Sequence, residues 1–125
     1  MATNKTVLIV EDEISLAEPL KLKLKKAGYS VFHGKNGKEG LDLVKKEHPD
    51  IILLDLLMPV MDGAQMLKHL SEDPETKKIK VIILSNISDV DTASKAAGMG
   101  AMDYVVKSDW KLADIVARVG NKLRE

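Results

Sequence analysis

Four runs of uninterrupted apolar residues punctuate the chain, at residues 7–10, 51–54, 81–84 and 104–106. Continuous rather than alternating hydrophobicity predicts strands covered on both faces, as in a parallel sheet. A weaker run, Val31 and Phe32 after Gly28, predicts a strand nearer an edge. Helical periods lie between these runs. Leu16, Leu20, Leu24 and Ala27 form one amphipathic stripe. Leu41, Val44 and His48 mark a second helix, ended by His48-Pro49 because a residue before proline avoids helical geometry. Met66, Leu67 and Leu70 mark a third, started by Asp62. Residues 89–97 form a weakly apolar fourth, with Gly98 as its stop. Leu112, Ile115, Val116, Val119 and Leu123 give the last, with Asp109 as its expected N-cap. Pro19 lies inside the first helical stripe, where it predicts a kink or a late start.

Five successive strand–helix units predict an α/β fold, a doubly wound five-stranded parallel sheet with helices on both faces. The 125 residues suit one domain spanning 1–125. Nineteen basic residues balance nineteen acidic ones, so charge gives no footprint for nucleic acid or anionic membrane. The absence of cysteine excludes a disulfide framework, a thiolate nucleophile and Cys-based metal sites. No apolar run approaches the ~20 residues of a membrane helix, and residues 1–6 carry no apolar signal segment, so the expectation is a soluble, cytoplasmic protein.

Sites in open parallel sheets form beyond the C-terminal ends of the strands. After Val10 come Glu11, Asp12 and Glu13; after Leu54 comes Asp55; after Leu84 comes Ser85; after Val106 comes Lys107. Strand ends are commonly polar, but these types complement one another. Crowded carboxylates repel unless a cation neutralises them, and Mg²⁺ takes one or two carboxylates together with waters and phosphate oxygens. The set therefore points to phosphoryl transfer, with Asp55 as the oxygen nucleophile and Lys107 and Ser85 holding the phosphoryl oxygens.

Val10-Glu11-Asp12-Glu13, Leu54-Asp55-Leu56-Leu57-Met58-Pro59 with Asp62-Gly63, Leu84-Ser85 and Asp103-Tyr104-Val105-Val106-Lys107 together resemble the response-regulator receiver family of two-component signalling. The resemblance covers essentially the whole chain. It implies a flavodoxin-like, CheY-like sheet of order 2-1-3-4-5. It also implies Mg²⁺ held by Glu11, Asp12, Asp55 and the backbone carbonyl of Leu57. Asp55 is then the phosphoacceptor, charged by a phosphohistidine on a sensor kinase or phosphotransfer protein. Ser85 and Tyr104 are the switch pair, altering the surface of 88–125 to control a protein partner or to dimerise. The chain's end at the last helix suggests output through protein contacts, without direct nucleic-acid binding.

Two positions, Ser108 and Asn86, depart from the family pattern. Ser108 stands where proline in a cis peptide usually follows the lysine, so the loop is either strained or trans. Asn86 replaces a small residue, and the apolar Leu57 and Ile87 flank the path of an attacking water, predicting slow autodephosphorylation. Two other classes compete. A phosphate-independent scaffold would have lost its switch, yet Glu11, Asp12, Asp55, Ser85 and Lys107 are all present. An aspartyl-phosphate phosphatase needs a second acid two residues beyond the nucleophile, where Leu57 stands. A flavin site lacks a phosphate-cradling loop after the first strand, and a nucleotide site lacks GxxxxGK. His33, His48 and His69 read as surface or boundary residues. Met58, Met61 and Met66 read as gap-fillers.

Overall fold

A computed structural model describes residues 4–56, 58, 60–85, 94–95, 97–98, 100–107 and 111–124 of the chain. Its strands are β1 (Thr6–Val10), β2 (Ser30–Gly34), β3 (Ile51–Asp55), β4 (Lys80–Ser85) and β5 (Asp103–Val106). The helices are α1 (Ile14–Lys26), α2 (Gly37–Glu47), α3 (Gly63–Glu72) and α4 (Leu112–Leu123). All strand pairings are parallel and the order is 2-1-3-4-5. The weak run at Val31 and Phe32 is indeed an edge strand.

Continuous apolar runs are needed because both faces of the central strands are covered. Val7, Ile9, Ile51, Leu53, Ile82, Leu84 and Val105 face one core with Ala17, Leu20 and Leu24 of α1 and Ile115 and Val119 of α4. Leu8, Val10, Ile52, Leu54, Val81 and Ile83 face the other, with Val44 of α2 and Met66, Leu67 and Leu70 of α3. Met66 is fully buried there, and Met58 and Met61 pack at its border as gap-fillers. Among the described residues, no helix is long and apolar enough to cross a membrane.

Local signals explain most helix ends. Asp62 starts α3 through a capping box: its side chain accepts from the Gln65 N–H at 2.9 Å, and Gln65 accepts from the Asp62 N–H at 3.1 Å. Asn36 caps α2 with its side chain, accepting from the Glu39 N–H at 2.9 Å, while the Glu39 carboxylate accepts from the Lys35 N–H at 2.9 Å. His48 ends α2 in a left-handed conformation, φ 48°, consistent with the expected stop before Pro49.

Three expectations about helix ends are corrected. α1 starts at Ile14 despite Pro19; Ser15 and Pro19 are both exposed, so water can satisfy the carbonyl that loses its donor. The N-cap position of α4 is Lys111 rather than Asp109, and the Asp114 carboxylate there accepts from the Lys111 N–H at 3.2 Å. Gly98 is helical, and the turn falls at Gly100, whose φ of +104° suits glycine.

Candidate functional site

The sheet's C-terminal edge collects the predicted chemistry because β1, β3, β4 and β5 all end there. β3 is central, so Asp55 leaves the sheet between the ends of β1 and β4. Asp55 is 4% exposed, Glu11 1% and Ser85 1%; no other polar or charged residues are buried among those described. Asp12 is exposed at the mouth. Oxygens of Glu11, Asp12 and Asp55 lie within 4.8 Å of one another, a grouping able to hold a metal ion.

Lys107 reaches into this group from the end of β5. Its Nζ donates to Glu11 Oε1 at 2.9 Å and Oε2 at 2.8 Å, and stands 3.4 Å from Asp55 Oδ2 and 3.6 Å from Glu13 Oε1. Glu11 thus takes the ammonium on both oxygens, while Asp55 lies within charge contact of it. Ser85 ends β4 opposite Val106, one residue before Lys107, which puts it on the same edge.

Burial pushes Glu11 up to about 7, with the charge of Asp55 adding to the rise and the Lys107 hydrogen bond opposing it. For Lys107, burial acts downward, but the Glu11 hydrogen bond and the charges of Asp55, Glu11 and Glu13 outweigh it and raise it. Lys107 therefore stays charged, and Glu11 is the carboxyl that yields. One ammonium faces Glu11, Glu13 and Asp55, and Asp12 adds a fourth carboxyl group, so the site has an excess of acidic groups that a divalent cation can relieve.

The backbone supports this arrangement closely. The Glu11 N–H donates to the Gly34 carbonyl at 3.0 Å, and the Glu11 carbonyl sits 2.7 Å from His33 Nε2. Gly63, the first residue of α3, lies directly on the Asp55 peptide. A Cβ there would meet Asp55 O at 2.1 Å and the Leu56 Cα at 2.7 Å. Its N–H donates to Leu56 O at 2.9 Å.

Tyr104 is half-buried on β5 and packs against the core shared with α2 and α3. A small cleft of about 100 Å³ beside it is lined by Ala97, Ala101, Met102, Asp103 and Tyr104. On the other side of β5, Asp103 pairs with Arg118 of α4 at 3.2 Å. Leu57, Asn86, Ile87, Ser108 and Asp109, and most of the expected 89–97 helix, lie outside the described residues. The supporting role of His33 had no signal in the sequence pattern, whereas Gly63 stands in the Asp62-Gly63 part of the family motif. His33 is one half-polar position of a weak strand, and the motif alone does not tell that Gly63 packs on the Asp55 peptide.

A family model for the response regulator receiver domain matches residues 7–120. Sporulation initiation phosphotransferase F of Bacillus subtilis (strain 168) is 36% identical over 104 residues, covering 83% of this chain and 82% of that protein. Probable transcriptional regulator ycf27 of Porphyridium aerugineum is 33% identical over 121 residues, covering 97% of this chain and 49% of that protein. The chain thus spans about half the length of such regulators. Among solved structures, the signal receiver domain of a signal transduction histidine kinase from Syntrophus aciditrophicus superposes with a TM-score of 0.85 at 34% identity, covering 96% of this chain and 90% of that one. The Francisella response regulator 1452 receiver domain gives 0.88 at 28%, covering 97% and 98%.

Proposed function

The chain belongs to the response regulator receiver family, and from that premise we propose that it is a signalling switch thrown by phosphorylation of Asp55. The observation that carries the proposal is the gathering of the Glu11, Asp12 and Asp55 carboxylates at the end of the central strand, with Lys107 Nζ set against Glu11 and Asp55. Residues 1–125 act as one receiver domain in a cytoplasmic two-component pathway. The donor is a phosphohistidine on a histidine kinase or phosphotransfer protein.

In the transfer, an Asp55 oxygen attacks phosphorus in line while the phosphorus–nitrogen bond to the donor imidazole breaks. The electron pair returns to that nitrogen, and the product is an acyl phosphate on Asp55. Glu11, Asp12, Asp55 and the Leu57 carbonyl would hold Mg²⁺, which when bound neutralises charge on the transferred oxygens. Lys107 shifts from Glu11 toward the phosphoryl group, and Ser85 donates its hydroxyl to another phosphoryl oxygen. These contacts favour a minor conformation and so change populations on the face that includes β5 and α4. Tyr104, half-buried between two environments, is suited to follow Ser85. By the family resemblance, Leu57 and Ile87 correspond to positions that flank the path of an attacking water, and their apolar side chains favour a long-lived acyl phosphate. A phosphoryl lifetime of seconds in Mg²⁺ buffer would contradict that last point.

The test is incubation with acetyl phosphate, with and without Mg²⁺, followed by intact and tandem mass spectrometry. The expected result is a Mg²⁺-dependent phosphoryl adduct on Asp55 that is absent in Asp55→Asn. No adduct with any donor would instead favour a phosphate-independent scaffold.

A further inference from the structure

His33 is a half-buried histidine on the edge strand β2, paired in register with Ile9. Its side chain does not stay at that level of the sheet. Nε2 lies 2.7 Å from the backbone carbonyl of Glu11, two residues beyond its register partner and one past the end of β1. A carbonyl can only accept, so Nε2 carries the hydrogen and donates.

That carbonyl belongs to the peptide joining Glu11 to Asp12, the two acidic residues of the β1 end. β1 stops at Val10, and its pairing with β2 is carried one step further by the bond from the Glu11 N–H to Gly34 O at 3.0 Å. Beyond that bond, no described backbone donor meets the Glu11 carbonyl. The imidazole of His33 supplies one instead. β2 therefore grips Glu11 on both sides, by the Gly34 carbonyl on its N–H and by His33 on its C=O. Fixing that peptide plane sets the direction in which Glu11 enters the buried site and the direction in which Asp12 leaves for its exposed mouth.

We infer that His33 is a positioning residue of the cation site, holding the Glu11–Asp12 peptide so that both carboxylates converge with Asp55. The inference rests on the functional reading above. His33 meets the Glu11 backbone rather than any of the carboxylates, so its role concerns cation affinity and not the transfer step. Outer residues that orient metal ligands typically change affinity about 10- to 100-fold when removed.

The test compares His33→Gln, His33→Asn and His33→Phe in the full chain. A glutamine amide nitrogen reaches about as far as Nε2, whereas asparagine stops short and phenylalanine fills the space with no donor. Isothermal titration with MgCl₂ gives the dissociation constant, and acetyl-phosphate labelling over a range of Mg²⁺ concentrations gives the half-saturation point and maximal rate separately. Expected are near wild-type Mg²⁺ binding in His33→Gln and binding about tenfold or more weaker in His33→Asn and His33→Phe. Their maximal labelling rate should return at saturating Mg²⁺. Equal Mg²⁺ affinity in all four proteins overturns the role of His33 while leaving the switch intact. A lower maximal rate at unchanged affinity also overturns it. A wild-type chain that binds no Mg²⁺ overturns the functional reading and the inference together. If His33→Phe fails to fold, the contrast between the two amide variants decides.

Discussion

Glu11 is almost wholly buried beside Asp55, and its charge is tolerated only through Lys107. The folded protein keeps a proton on Glu11 up to about pH 7, against a usual value of 4.5. Between those values the folded state binds more protons than the unfolded chain, so stability falls as pH rises. In EDTA, the unfolding free energy should drop by about 1–3 kcal/mol from pH 5 to pH 7.5, read from urea titrations. Millimolar Mg²⁺ should flatten that fall by favouring the ionised form, and a rise in stability over the range would contradict it. Lys107→Ala removes the partner of a buried carboxylate, which costs on the order of 3 kcal/mol when the charge is left uncompensated. The loss should be full at pH 8 and much smaller at pH 5, where Glu11 is protonated, and urea midpoints at the two pH values check it.

Each element carries site residues only because its ends are fixed. Asp55 depends on α3 beginning with a residue that has no side chain, since a Cβ at position 63 would strike the Asp55 carbonyl. Gly63→Ala should lower stability by about 1–3 kcal/mol and slow acetyl-phosphate labelling of Asp55, measured by urea unfolding and by mass spectrometry. Pro19 interrupts the hydrogen bonding of α1 at an exposed position. Pro19→Ala should raise stability by about 1 kcal/mol, the helix gain being offset by a freer unfolded chain. All five strands were legible as apolar runs because both sheet faces are buried, and their polar terminators named the site. The edge strand was the faintest because only part of it is covered. Less legible were the features set by three-dimensional closeness. Asn36 caps α2, a helix start for which the apolar period beginning at Leu41 gives no sign. The bonds from Lys107 to Glu11 had no sign in the spacing, because they join residues 96 apart in the chain at a buried carboxylate. His33 reads as a boundary residue, which it is, yet its ring crosses to a neighbouring strand.

Over the whole molecule, the sheet separates two cores, and the site sits at the edge where they meet. Tyr104 belongs to the core shared with α2 and α3, whereas Val105 belongs to the core shared with α1 and α4. A change that begins at Asp55 can therefore reach α4 through the neighbouring strands β4 and β5. Beryllofluoride with Mg²⁺ should shift amide resonances of Tyr104, Val105 and α4 more than those of α2, as ¹H–¹⁵N spectra would report. Shifts confined to the immediate strand ends would contradict a transmitted switch. The central claim is that Asp55 receives the phosphoryl group, and intact-mass and tandem mass spectrometry after acetyl-phosphate treatment tests it most directly. One phosphoryl adduct on Asp55 that requires Mg²⁺ and disappears in Asp55→Asn is the predicted result. An adduct elsewhere, or one that survives in Asp55→Asn, would contradict the account.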